Sequence, residues 1–240
     1  MRSSNAWSKA IIAAIHPADH PVEIHLPDAR VIGHLQADSD SRGIVIFANG
    51  VGAGRFIRRD EQIACLLHRH GLATLVLKLV SPEEEGQPEV IFDIGMLAER
   101  LARAIDWIAE SEWMSRWPVG LIGAGTGAGA ALVAAALRPG QVDAVVCRGG
   151  RPDLALAWLD QVEAATLLIV GGADAHVAGL NQMAMERLSG CTRELVVIPG
   201  ASHLFPEPGA IDAVARLAKD WFVRHLNGGG SGNEQCGSHG

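Results

Sequence analysis

Short apolar runs alternate along this chain with longer segments whose apolar residues recur every three to four positions. The runs at 22–26, 31–35, 43–48, 72–79, 119–122, 142–147, 165–170 and 194–198 are rich in Val, Ile and Leu. They have the length and composition of strands. Between them lie helical patterns: 58–70, stopped by Gly71; 93–109, with Ile94, Leu97, Leu101, Ile105 and Ile108 on one side; a small-residue stretch ending at Leu137; and 211–226. Residues 82–88 form an acidic loop between the patterns. Several strands are apolar at nearly every position, so both of their faces must be covered. Alternation of such strands with helices predicts an α/β fold, a mostly parallel central sheet with helices on both faces. No internal repeat and no second domain is visible. One domain is expected over 1–226, followed by NGGGSGNEQCGSHG at 227–240, a flexible Gly/Ser-rich tail by composition.

Bulk composition narrows the function classes. The 240 residues are 48% hydrophobic, enough for a sizeable core, and the net charge of −7 comes from interspersed acidic and basic residues. No basic stripe interleaved with aromatics points to nucleic acid. Cys65, Cys147, Cys191 and Cys236 form no CxxC pair, and the ten histidines show no HExxH spacing, so no metal site is expected. Cys65 and Cys147 lie in apolar surroundings and read as inert core thiols. His68 and His70 face different sides of their helix and make a poor metal pair. The N-terminus has only a short apolar patch at 11–15, followed at once by His16, Asp19 and His20, which is not a secretory signal. Residues 119–137 carry no charged side chain, but they are mostly Gly and Ala and split into a strand and a helix, so they do not read as a membrane span. A soluble, cytoplasmic protein with a small-molecule substrate or ligand, and no membrane or nucleic-acid partner, is the expectation.

Chemistry concentrates at strand ends. The strand at 119–122 runs into Gly123-Ala124-Gly125-Thr126-Gly127 and then a helix. A sharp strand–turn–helix of the form Gly-x-Ser-x-Gly presents a nucleophile in α/β-hydrolases. Here the middle residue is Gly125, which has no side chain with which to attack. The same glycines also fit a dinucleotide fingerprint, Gly123-x-Gly125-x-x-Ala128. That fingerprint needs an acidic residue at the end of the next strand. The chain offers Cys147-Arg148 there, and Arg148 could meet only a 2′-phosphate.

Two later strands end in Gly171-Gly172-Ala173-Asp174 and in Pro199-Gly200-Ala201-Ser202-His203. The order turn, acid, histidine is that of an α/β-hydrolase triad, with Asp174 orienting His203. His176 reads as a surface residue. An oxyanion hole would combine the N–H of Thr126 with an N–H from the open loop Asn49-Gly50-Val51-Gly52-Ala53-Gly54. Arg55, Arg58 and Arg59 read as a solvated helix start, with substrate-carboxylate binding as the alternative. Arg148 and Arg151, flanking Gly149-Gly150, leave the same two readings open.

The stretches LATLVLKLVSPEEE (72–85), FDIGMLAERLARAIDW (92–107), VGLIGAGTGAGAALVAAA (119–136), VVCRGGRPDLA (145–155), TLLIVGGADAHV (166–177) and VIPGASHLFPEPGA (197–210) resemble the dienelactone-hydrolase-like α/β-hydrolases, in particular the branch also found fused to phosphoribosyltransferase domains. The resemblance implies the α/β-hydrolase fold and metal-free, cofactor-free hydrolysis of an ester or lactone by a nucleophile–His–Asp triad. It implies that the acid and base fall on Asp174 and His203, and that family members carry Ser at position 125. Their oxyanion loop begins His-Gly, where this chain has Asn49-Gly50. Three functions follow: a hydrolase whose activity is lost, weak or altered; a non-catalytic binder using the vestigial pocket; and an NADP-type nucleotide binder. Thr126, Cys147, Ser202 and a water activated by His203 are the replacements for the missing nucleophile.

Overall fold

The computed structural model describes residues 20–26, 30–49, 53–81, 83–84 and 86–226, with the backbone path alone over 53–58. Eight strands form one sheet in the order β1-β2-β4-β3-β5-β6-β7-β8. They are β1 (His20–His25), β2 (Arg30–Gln36), β3 (Ile44–Asn49), β4 (Ala73–Lys78), β5 (Val119–Gly125), β6 (Ala144–Gly150), β7 (Ala165–Gly171) and β8 (Arg193–Ile198). β1–β2 and β2–β4 are antiparallel; every pairing from β4 to β8 is parallel. The α/β expectation holds. The chain steps from β3 outward to β4 and then back across to β5, so the strand order reverses at β3 and β5. In open α/β sheets ligands bind beyond the carboxyl ends of the strands at such a reversal. Asn49 and Gly125 end those two strands.

Helices cover both faces because β3, β6 and β7 are buried at every position. On one face lie α3 (Ile94–Ala109), α4 (Thr126–Leu137) and α5 (Ala175–Arg187); on the other lie α1 (Ala53–His68) and α6 (Ala210–His225). A single helical turn, α2 (Pro88–Ile91), precedes α3. Asp93 caps α3, its Oδ1 accepting the Met96 N–H at 2.9 Å, an arrangement worth about 1 kcal/mol. The side of α3 predicted to be apolar is the buried one, with Leu97, Leu101, Ile105 and Ile108 at 0–1% exposure. Each such side chain contributes roughly 1.5–3 kcal/mol. The small residues of α4 let it lie close against β5, β6 and α3, and ten of its residues are buried. Among the described residues no helix is long and apolar enough to cross a membrane.

Several sequence-based boundaries and burials are corrected. β5 continues to Gly125 and β6 runs from 144 to 150, each reaching further toward the site than expected. α1 starts at Ala53 within the Gly-rich stretch, so tertiary packing of its later turns overrides the helix penalty of Gly54. Cys65 is exposed on α1, not a core thiol, and its Sγ accepts from Arg69 at 3.2 Å. It borders an open cavity that Thr74, Val76 and Lys78 of β4 also line. The 1–19 segment and the tail after 226, with Cys236, lie outside the described residues.

Candidate functional site

Gly125 closes β5 with φ 54° and ψ −127°. That left-handed φ costs an ordinary L-residue roughly 1–2 kcal/mol. The turn is sharp enough that a Cβ on Gly123 would stand 2.3 Å from the Gly127 carbonyl oxygen, so residue 123 must be glycine. A Cβ on Gly125, in contrast, meets nothing within 4 Å among the described residues. The elbow therefore keeps the space a side-chain nucleophile would fill. Ala124, Gly125 and Thr126 are half-buried at the point where this turn reaches the surface. Thr126 opens α4, so its N–H belongs to the first helical turn, whose N–H groups have no intrahelical acceptor.

The acid and base meet. His203 Nδ1 lies 3.1 Å from Asp174 Oδ2. Asp174 also caps α5, its Oδ1 accepting the Val177 N–H at 3.0 Å. One oxygen fixes the carboxylate to the helix and the other faces the imidazole. With Nδ1–H donated to Asp174, Nε2 is left as the nitrogen with a free lone pair.

Close backbone approaches bring these loops together. A Cβ on Gly171 would fall 2.3 Å from the Ala201 carbonyl oxygen, and the Ala173 N–H donates to that same oxygen at 2.9 Å. The acid loop thus rests directly on the histidine loop. Gly149, at φ 51°, leaves room for the His203 carbonyl oxygen, which a Cβ would meet at 2.0 Å. The neighbouring Gly150 pairs with Gly125 across β5–β6, and the Arg151 N–H donates to the Gly125 carbonyl at 3.0 Å. Elbow, β6 end and histidine loop are therefore successive layers of touching backbone.

Several supporting residues were not singled out from sequence. Phe205, 1% exposed, holds φ 53°, a strained conformation for a non-glycine residue. Its ring lies at 3.2 Å from the Cβ position of Gly149. Glu207 Oε1 accepts the Ser202 N–H at 3.0 Å. Asn181, fully buried in α5, donates to the Gly150 carbonyl at 3.1 Å and to Val177 at 2.8 Å, tying the helix capped by Asp174 to the strand beside the elbow. The sequence pattern predicts no helix over Ala175–Arg187, so nothing in it marks Asn181 out.

Other expectations are corrected. Arg148 does not reach solvent as a phosphate or carboxylate ligand; it is 2% exposed and paired with Asp60 of α1. It sits inside β6 with its side chain on the α1 face, so it cannot meet a 2′-phosphate at the elbow. Burial raises the Asp60 carboxyl above its usual range despite the attraction of Arg148, and the Asn49 amide also favours its charged form. Asn49, 7% exposed, is the buried last residue of β3. Gly50 and Val51, expected in the oxyanion loop, lie outside the described residues, as do the side chains of Arg55 and Arg58. Arg151 is paired with Asp153 at 2.7 Å. Cys147 is fully buried and desolvation pushes its thiol up to about 12, so it is no nucleophile at neutral pH. His176 is exposed, as expected.

Comparison with known proteins agrees with the fold. A dienelactone hydrolase from Anabaena variabilis is 47% identical and superposes with a TM-score of 0.84, covering 88% of this chain and 99% of its own. Est1E from Butyrivibrio proteoclasticus, 12% identical, shares the fold with a TM-score of 0.73 over 87% of this chain and 99% of its own. Two Mycobacterium tuberculosis proteins that carry phosphoribosyl transferase in their names are 48% identical over 227 residues. Those residues are 94% of this chain but 51% of the relatives, so the chain spans about half their length. This agrees with the branch fused to phosphoribosyltransferase domains. The family model for the dienelactone hydrolase family matches residues 32–227, and the chain belongs to that family.

Proposed function

We propose that the site hydrolyses an ester or lactone without a covalent intermediate, with His203 activating water in place of a side-chain nucleophile. The single observation that carries this reading is the Asp174–His203 contact at 3.1 Å beside an elbow whose Gly125 position is open. His203 Nε2 takes a proton from water as the hydroxide oxygen bonds to the carbonyl carbon. The carbonyl oxygen becomes an oxyanion, facing the N–H of Thr126. Collapse breaks the bond to the leaving oxygen, which receives the proton from the imidazolium. The products are a carboxylic acid and an alcohol, joined as one hydroxy acid when the substrate is a lactone.

The rate is expected to be low. Loss of a triad nucleophile costs a protease roughly 10⁶-fold in turnover, while about 10³–10⁴-fold over water survives from the oxyanion hole and binding. General-base assistance by His203 contributes on the order of 10²–10⁴-fold.

The test uses short p-nitrophenyl esters with the parent protein, His203→Ala and Gly125→Ser. The parent should hydrolyse them slowly, His203→Ala should lose that rate, and Gly125→Ser should gain by orders of magnitude. A folded Gly125→Ser protein with no gain over the parent would overturn the reading. The second reading, a non-catalytic small-molecule binder, is favoured by Gly125 itself and by Asn49-Gly50 in the oxyanion loop. It predicts a parent rate that His203→Ala does not change.

A further inference from the structure

Asp60 and Arg148 stand out because both are charged, both are 2% exposed, and they meet across two elements that carry different parts of the site. Asp60 lies on α1, the helix that follows the oxyanion loop. Arg148 lies on β6, one residue before Gly149, whose Cβ position is 2.0 Å from the His203 carbonyl oxygen. The Asn49 amide, at the start of the oxyanion loop, faces the same Asp60 carboxylate.

A buried ion pair is weak evidence of a stabilising role. The desolvation of two charges offsets most of their attraction, and apolar residues of similar volume often serve stability as well or better. Desolvation is the largest influence on Asp60 and raises its carboxyl pKa. What an ion pair does supply, and apolar packing does not, is a fixed direction and distance. We propose that Asp60 and Arg148 are positioning residues, whose pairing sets Asn49, the last residue of β3, at a fixed offset from the histidine loop. The proposal rests on the reading of Asp174 and His203 as a hydrolytic pair. Neither residue touches substrate; each acts through the backbone it holds.

The decisive variant is the double replacement Asp60→Leu/Arg148→Met. It removes the ion pair without leaving a lone buried charge. Its thermal midpoint is expected to match the parent or exceed it. Two site readouts follow. In the parent background, the ring 1H and 15N signals of His203 report its hydrogen bond to Asp174 and should shift. In the Gly125→Ser background, kcat for p-nitrophenyl esters should fall by about 10²-fold, the effect of a misplacement near 1 Å, with KM altered much less. A stable double variant with parent-like His203 signals and kcat within about threefold would overturn the proposal, leaving the pair a packing feature. Should the double variant fail to fold, Asp60→Asn/Arg148→Gln removes both charges while keeping hydrogen-bonding groups on each side, and the same two readouts decide. If Gly125→Ser has no activity, the hydrolytic reading falls, while the His203 signals still test whether the pair positions the loop.

Discussion

Asp174 gives its two carboxylate oxygens to different tasks: Oδ1 accepts the Val177 N–H at 3.0 Å and Oδ2 faces His203 Nδ1 at 3.1 Å. The helix cap fixes the rotamer of Asp174 independently of the histidine contact. Asp174→Asn should therefore keep α5, since Asn caps as well as Asp, but present an amide where His203 needs a carboxylate. In the Gly125→Ser background we expect kcat to fall by roughly 10⁴-fold, as for triad acids replaced by the amide, with little change in thermal midpoint. Steady-state kinetics beside a thermal melt check both halves.

Installing a side chain at Gly125 has a conformational cost and, among the described residues, no steric one: φ is 54° and a Cβ meets none of them within 4 Å. Gly125→Ser and Gly125→Ala should each lose about 1–2 kcal/mol, a drop of a few degrees in midpoint. Equal losses for the two variants would show the cost lies in the backbone; a larger loss for Ser would contradict the open space.

Gly123→Ala should behave differently. Its Cβ would stand 2.3 Å from the Gly127 carbonyl oxygen, a backbone atom that cannot yield without moving the elbow. Destabilisation at or beyond the 1–3 kcal/mol typical of overpacking is expected, measured by urea denaturation. Parent-like stability would mean the turn is looser than this geometry.

Glu84 is expected to shape acid stability. Both of its oxygens accept from Arg100 at 2.7 Å, and that pairing takes its carboxyl from 4.5 to about 2. A carboxyl with a depressed folded-state pKa contributes stability that is fully present above about 4.5 and lost as pH falls toward 2. Solvent screening of this partly exposed pair reduces the contribution to about 1 kcal/mol. Glu84→Gln should be less stable than the parent at pH 7, and the gap should close as pH falls from about 5 toward 2. A gap that is constant over that range would rule out the linkage.

The cysteines should separate by reactivity. Cys147 is buried with its thiol pushed up to about 12, whereas Cys65 is exposed. Alkylation of the native protein should modify Cys65 within minutes and leave Cys147 untouched until denaturant is added. Peptide mass spectrometry reads both sites.

The order of strands, most of the helices, the elbow at 123–127 and the placing of Asp174 and His203 after strand ends were legible in the sequence, because each is a local pattern; the helix Ala175–Arg187 was not. Apolar periodicity marks strands and helices, glycine marks backbone without side-chain room, and Asp174 and His203 follow strand ends. The absence of a hydroxyl at residue 125 was equally plain. What needed tertiary structure were relations between distant residues. Gly149 and Gly171 are glycines because the histidine loop's carbonyls pass within 2.0–2.3 Å of their Cβ positions. Cys65 is exposed because of how α1 is rotated on the sheet. Arg148, which read as a surface ligand beyond a strand end, is a buried partner of Asp60, 88 residues away. Sequence fixes which chemistry each position can offer; burial and charge pairing across the sheet decide which of those offers reaches the site.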